Sequence, residues 1–148
     1  MNEKKHALRL EQCGTAAFEA TSLAGGSLVI DGAPEIGGEG KGMRPMEVLL
    51  SALASCSAMD VLHILRTQKE PLERLQIDIE GVRAAAVPSP FTRIELVFTA
   101  HGRVNPHKLQ RAVGLAVDKY CSVRASLDAG VEIRWSAVVA EPATNTAQ

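Results

Sequence analysis

The stretch Pro45 to Leu65, PMEVLLSALASCSAMDVLHIL, decides how the rest of the chain folds. It predicts one long helix. Proline suits the first helical position, where its missing N–H leaves nothing unpaired. Glu47 follows in the first turn, where a negative charge meets the positive end of the helix dipole. Neither glycine nor proline interrupts the run before Pro71. Apolar residues point in nearly every direction, the pattern of a helix buried all round. Ser51, Ser55, Ser57, Asp60 and His63 break that pattern. About 20 apolar residues suffice to cross a bilayer. Here Asp60 and His63 near one end, with polar flanks on both sides, argue for a buried helix in a soluble protein. Small residues (Ala52, Ala54, Ser55, Ser57 and Ala58) surround Cys56 and let another backbone come close.

The whole chain has 148 residues, enough for one domain with a substantial core. We take residues 1–140 as that single domain and the polar residues 141–148 as a disordered tail. A hydrophobic share of 46% against 22% charged residues marks a globular protein. Net charge is −1 with no basic block, which argues against nucleic acid or a membrane surface as partner. Aromatics make up 3%, too few for a base-stacking platform. The start, MNEKKHALRLEQ, is charged but carries no apolar core, so it is not a secretory signal and a cytoplasmic location is expected. In that compartment cysteines tend to be reduced, catalytic or metal-binding rather than a disulfide framework.

Before the helix, Ala7–Leu10 and Phe18–Ala20 are weak strands. Ser27–Ile30 is a better one, bounded by Gly25-Gly26 and Asp31-Gly32. The glycine-rich run 37–42 fits neither phosphate-binding fingerprint. It reads as a flexible loop over the start of the helix, a lid or substrate wall. After the helix, Arg66 and Lys69 suit its negative end and Pro71 enforces the stop. Leu75, Ile77 and Ile79 alternate with polar residues, as do Ile94, Leu96, Phe98 and Ala100. These two strands should pair antiparallel across the turn at Pro88 and Pro90. Asn105-Pro106 is an N-cap followed by a first-position proline. The amphipathic helix behind it runs through Leu109, Ala112, Val113, Ala116 and Val117 to Tyr120, with Cys121 at its end. A last strand covers Val131 to Val139. The class is α+β, with antiparallel sheets and helices on one side. A helix apolar all round is hard to bury in so small a monomer, so a homodimer is expected.

Offsets of four and seven residues put Cys56, Asp60 and His63 on one stripe of the helix. His63 lies roughly 10 Å from Cys56 along the axis, at about 1.5 Å per residue. That is too far for it to be the base of a cysteine nucleophile. A metal site of Cys56, Cys121 and His63 matches no ligand spacing, so no metal and no cofactor is expected. A reactive cysteine needs a lowered pKa, and the dipole contributes little in mid-helix. A base partner or a cation must come from elsewhere in the fold or from another subunit; Arg9, Lys41, Arg44 and Arg124 are the candidates by type, and the sequence leaves that choice open. Cys13, beside Gly14, has no partner in spacing or context and reads as incidental.

The run Pro45–Cys56 resembles the helix motif of the OsmC/Ohr family of osmotically inducible and organic hydroperoxide resistance proteins. Tyr120-Cys121-Ser122-Val123 resembles that family's second cysteine motif, and Arg111-Ala112-Val113 fits the segment before it. The similarity covers about Gly37 to Val139 and is greatest to the YhfA-like branch. The resemblance implies an intertwined α+β homodimer, antiparallel sheets packed around two long central helices. It implies an antioxidant role in which Cys56 attacks an organic hydroperoxide and Cys121 resolves the sulfenic acid as a disulfide. A dithiol, such as a lipoyl protein, would reduce that disulfide. In the hydroperoxide reductases a glutamate directly follows the motif proline. Here that position is Met46, and Glu47 comes one residue later, turned by about 100°. The family's N-terminal arginine has no clear counterpart. Arg44, Glu47 and Asp60 are therefore the supporting candidates. The competing function is a redox-active or hydrophobic-ligand-binding dimer without peroxidase turnover.

Overall fold

The computed structural model describes residues 2–140, so the expected tail at 141–148 lies outside the described residues. These residues form two compact units, one up to Leu49 and the other from Leu50 onward.

In the first unit, β1 (Leu8–Gln12), β2 (Phe18–Ser22) and β3 (Ser27–Ile30) form an antiparallel sheet in sequence order. The Gly25-Gly26 turn has φ of 108° and 96°, a backbone that favours glycine. The glycine-rich loop beyond β3 is not loose. Asp31 is only 2% exposed. Its Oδ1 accepts the N–H of Gly32 at 2.8 Å, and its Oδ2 accepts those of Glu39 at 2.9 Å and Lys41 at 3.0 Å. Gly38 lies so close to this turn that a Cβ there would sit 1.8 Å from the Gly32 carbonyl oxygen. The loop is thus cross-tied by one carboxylate, where sequence composition alone suggested flexibility.

Helix α1 (Pro45–Thr67) begins as expected. Glu47 accepts the N–H of Arg44 at 3.0 Å, the reach-back half of a capping box. Its end is set by the backbone before Pro71 is reached. Lys69 takes φ 56°, Glu70 N–H bonds to Leu65 O at 3.0 Å, and Lys69 N–H to Arg66 O at 3.0 Å. That is a Schellman cap with lysine at the position where glycine is usual. Among the described residues α1 is long and apolar enough to cross a membrane. Within this chain it buries one stripe only, Leu53, Ser57, Val61 and Leu65, rather than all its faces. The hydroxyl of buried Ser57 is satisfied inside the helix, donating to Leu53 O at 2.9 Å.

In the second unit, β4 (Leu72–Arg83) and β5 (Phe91–Gly102) pair antiparallel, as their alternation predicted. β6 (Glu132–Val139) lies on the other side of β5 and runs parallel to it, with Leu96 opposite Trp135. This departs from the all-antiparallel expectation. Parallel neighbours need a long crossover, and the helical segment between β5 and β6 supplies it. As the central strand, β5 is the most buried, through Phe91, Ile94, Leu96, Phe98 and Ala100. α2 (Pro106–Leu115) starts at Asn105, whose Oδ1 accepts the N–H groups of His107 and Lys108. Leu109, Ala112 and Val113 form its buried face, and it packs on β6. The approach is close: a Cβ on Gly114 would meet Trp135 Cζ2 at 3.3 Å.

Candidate functional site

The amphipathic period that begins α2 does not run unbroken to Tyr120. From Ala116 to Tyr120 the backbone widens into a π-turn, and the short helix α3 (Ser122–Ala125) follows. Single π-turns inside helices recur at functional sites. This one ends on Cys121, which caps α3. Its Sγ accepts the N–H of Arg124 at 3.4 Å.

The structure places Cys56 near enough to Cys121 for its side chain to raise the Cys121 thiol pKa. Cys56 is half-buried in the middle of α1, while Cys121 is 4% exposed. No disulfide joins them. Burial pushes the Cys121 thiol pKa up. The Arg124 N–H pulls the other way, Cys56 raises it further, and the Val123 N–H lowers it slightly. The net result is a thiol held protonated near Cys56.

A polar frame holds the second cysteine in place. Arg124 Nη1 donates to Asp118 Oδ1 at 2.6 Å and to Val117 O at 3.3 Å. The other oxygen of Asp118 accepts the Trp135 indole N–H at 3.1 Å. The π-turn is thereby tied to α3 on one side and to β6 on the other. Sequence reasoning had Arg124 only among four candidate cations and missed Asp118 and Trp135. Their pairing spans 17 positions and depends on the parallel placement of β6.

The other candidate residues are each placed within their own unit. Asp60 and His63 line an open groove of about 470 Å³ with Ile64, Thr67, Gln68 and Tyr120. Glu47 is engaged in capping α1 through Arg44. Both lie in the first unit, as do Arg9 and Cys13, which share a surface groove there. Lys41 approaches Glu39 at 3.7 Å, an exposed pair. Among the described residues, no three His, Cys, Asp or Glu side chains converge as metal ligands.

Residues 38–136 match the family model described as OsmC-like protein. Protein YhfA of Escherichia coli (strain K12) is 33% identical over 120 residues, covering 80% of this chain and 87% of that protein. The crystal structure of a hypothetical protein from Aquifex aeolicus VF5 superposes with a TM-score of 0.78 at 31% identity, covering 94% of this chain and all of the other. The organic hydroperoxide resistance protein OhrB of Bacillus subtilis shares the fold with a TM-score of 0.64 at 15% identity, over 91% of this chain and 98% of that one.

Proposed function

The chain belongs to the OsmC-like family, and from that premise we propose that it reduces organic hydroperoxides with Cys56 and Cys121. The observation that carries this reading is that Cys56, half-buried, lies near enough to the enclosed Cys121 to raise its pKa. The name of the Bacillus subtilis neighbour, organic hydroperoxide resistance protein, points the same way.

The Cys56 thiolate attacks the distal peroxide oxygen. The O–O bond breaks, the alkoxide takes a proton and leaves as alcohol, and Cys56 becomes a sulfenic acid. Cys121 then attacks the Cys56 sulfur. Water leaves with the Cys121 proton and a disulfide forms. A dithiol returns both cysteines to thiols by exchange and is itself oxidised to a cyclic disulfide. Bridging needs Cα atoms within about 7 Å.

We also read the protein as a homodimer. Met59 on α1 is 66% exposed, and Leu8 and Leu10 of β1 are 61% and 54% exposed. A second copy would cover surfaces of this kind. The family match runs across the boundary between the two units, which supports a single functional domain. The assay that tests the function is peroxide-dependent oxidation of dihydrolipoamide with cumene hydroperoxide. Activity lost on Cys56→Ser supports the reading, and activity absent from the wild-type protein sinks it. Light scattering at micromolar concentration should return twice the chain mass; the mass of one chain would refute the dimer.

A further inference from the structure

Cys121 faces a second space. A solvent-open cavity of about 350 Å³ is lined by Cys121 together with Val117, Leu127, Ile133, Arg124 and Asp128, among others. Every described residue that lines it falls between Val117 and Ile133. Helix α1, which carries Cys56, contributes none of them. Cys121 therefore has Cys56 near it and a cavity lined only by its own side of the fold.

We propose that this cavity is where the reductant enters, and that a small dithiol there attacks Cys121 Sγ and expels Cys56. The inference rests on the reading that the two cysteines form a disulfide, and it adds which sulfur is attacked and from where. Thiol–disulfide exchange is an in-line displacement, so the incoming sulfur must approach opposite the leaving one. A cavity built without α1 offers that approach to Cys121. Its lining mixes apolar side chains (Val117, Leu127, Ile133) with charged ones (Arg124, Asp128), which suits a dithiol on an aliphatic chain with a polar end. The chemistry of leaving groups agrees. Exchange is faster when the leaving thiol is the better anion, and burial disfavours the Cys121 anion.

The electrons balance in two steps. The first ligand thiolate bonds to Cys121 Sγ, the Cys56–Cys121 bond breaks, and Cys56 departs as thiolate. The second ligand thiol gives up its proton and attacks the ligand's own first sulfur. A ring disulfide closes, and Cys121 leaves and takes up a proton. Two electrons have moved from the dithiol to the protein.

The test uses the wild-type protein oxidised with diamide, so that it does not depend on hydroperoxide chemistry. The isolated Cys56–Cys121 disulfide is treated briefly with one equivalent of 8-mercaptooctanamide, a monothiol that cannot close a ring and so leaves a mixed disulfide. After acid quench, free thiols are capped with N-ethylmaleimide and the peptides are weighed. The ligand should be on Cys121 and the maleimide on Cys56, by about tenfold or more over the reverse. Ligand on Cys56 would overturn the proposal. Ala129 also lines the cavity and is exposed. Ala129→Trp should slow reduction of that disulfide by dihydrolipoamide about tenfold relative to wild type, by blocking approach to the attacked sulfur; an unchanged rate would also overturn it. A protein that behaves as expected after diamide but ignores hydroperoxide would contradict the peroxidase reading and leave this one standing.

Discussion

Cys56, in the middle of α1, lies near enough to Cys121, the cap of α3, to raise its pKa, and the second of these thiols is the enclosed one. Burial and the neighbouring Cys56 both raise the Cys121 pKa above its ordinary 9.0. In the reduced protein Cys121 should therefore alkylate slowly, with a rate that climbs only at alkaline pH. Cys56→Ser removes one of the two raising influences. The midpoint of Cys121 alkylation by iodoacetamide should then move to lower pH. A midpoint that stays put would mean that the two thiols do not interact in solution.

The frame around Cys121 should carry measurable stability. Asp118→Ala removes the contacts to Arg124 and Trp135 together. Both partners of the ion pair are partly exposed, so the expected cost is modest, about 1 kcal/mol. That corresponds to a fall in Tm of about 3 °C by calorimetry. The same variant should form the Cys56–Cys121 disulfide more slowly, since the segment that presents Cys121 loses its ties. Asp118→Asn, which keeps an acceptor for the indole, should recover part of that rate.

Lys69 occupies a left-handed backbone position at the end of α1, φ 56°. Glycine adopts that conformation without a Cβ clash. Lys69→Gly should stabilise the protein by about 1 kcal/mol in urea unfolding. A loss of stability would mean that the lysine side chain contributes more than the strain costs.

Asp31 accepts three backbone N–H groups, led by those of Glu39 and Lys41, and its pKa lies below the ordinary 3.8. Glu70, bonded to the Asn105 N–H and to Lys108, is likewise lowered from 4.5. A carboxyl whose folded pKa is depressed stabilises the fold above its unfolded pKa. That contribution is lost as pH falls through the folded value. The wild-type protein should thus lose stability as pH falls through and below the ordinary values of 4.5 for Glu70 and 3.8 for Asp31, and Asp31→Asn should flatten the lower part of that curve. Equal slopes for the two proteins in acid titration by circular dichroism would remove Asp31 from the account.

Much of this was legible in the residues. Pro45 and Glu47 marked the start of α1, and Asn105-Pro106 the start of α2, because caps are local chemistry written in adjacent residues. The alternation in β4 and β5 gave their faces for the same reason. The direction of β6 was not legible, because strand alternation is the same in parallel and antiparallel pairs. Burial of α1 was overstated for a single chain: composition shows what a helix can bury, not what is present to bury it. At the site, the two cysteine motifs stood out in the sequence. The Asp118–Arg124–Trp135 frame did not, since it depends on a π-turn that breaks the helical period and on a strand pairing distant in sequence. Asp31 looked like a turn residue and proved to be the tie of the glycine-rich loop, because its partners are backbone groups that any sequence carries.

The most direct measurement is thiol titration of the pure, reduced protein before and after one equivalent of cumene hydroperoxide, with mass spectrometry of the Cys56 and Cys121 peptides. The account predicts rapid loss of two thiols and a Cys56–Cys121 disulfide, with Cys121→Ser stalling at a Cys56 sulfenic acid. Survival of both thiols in the wild-type protein would contradict it.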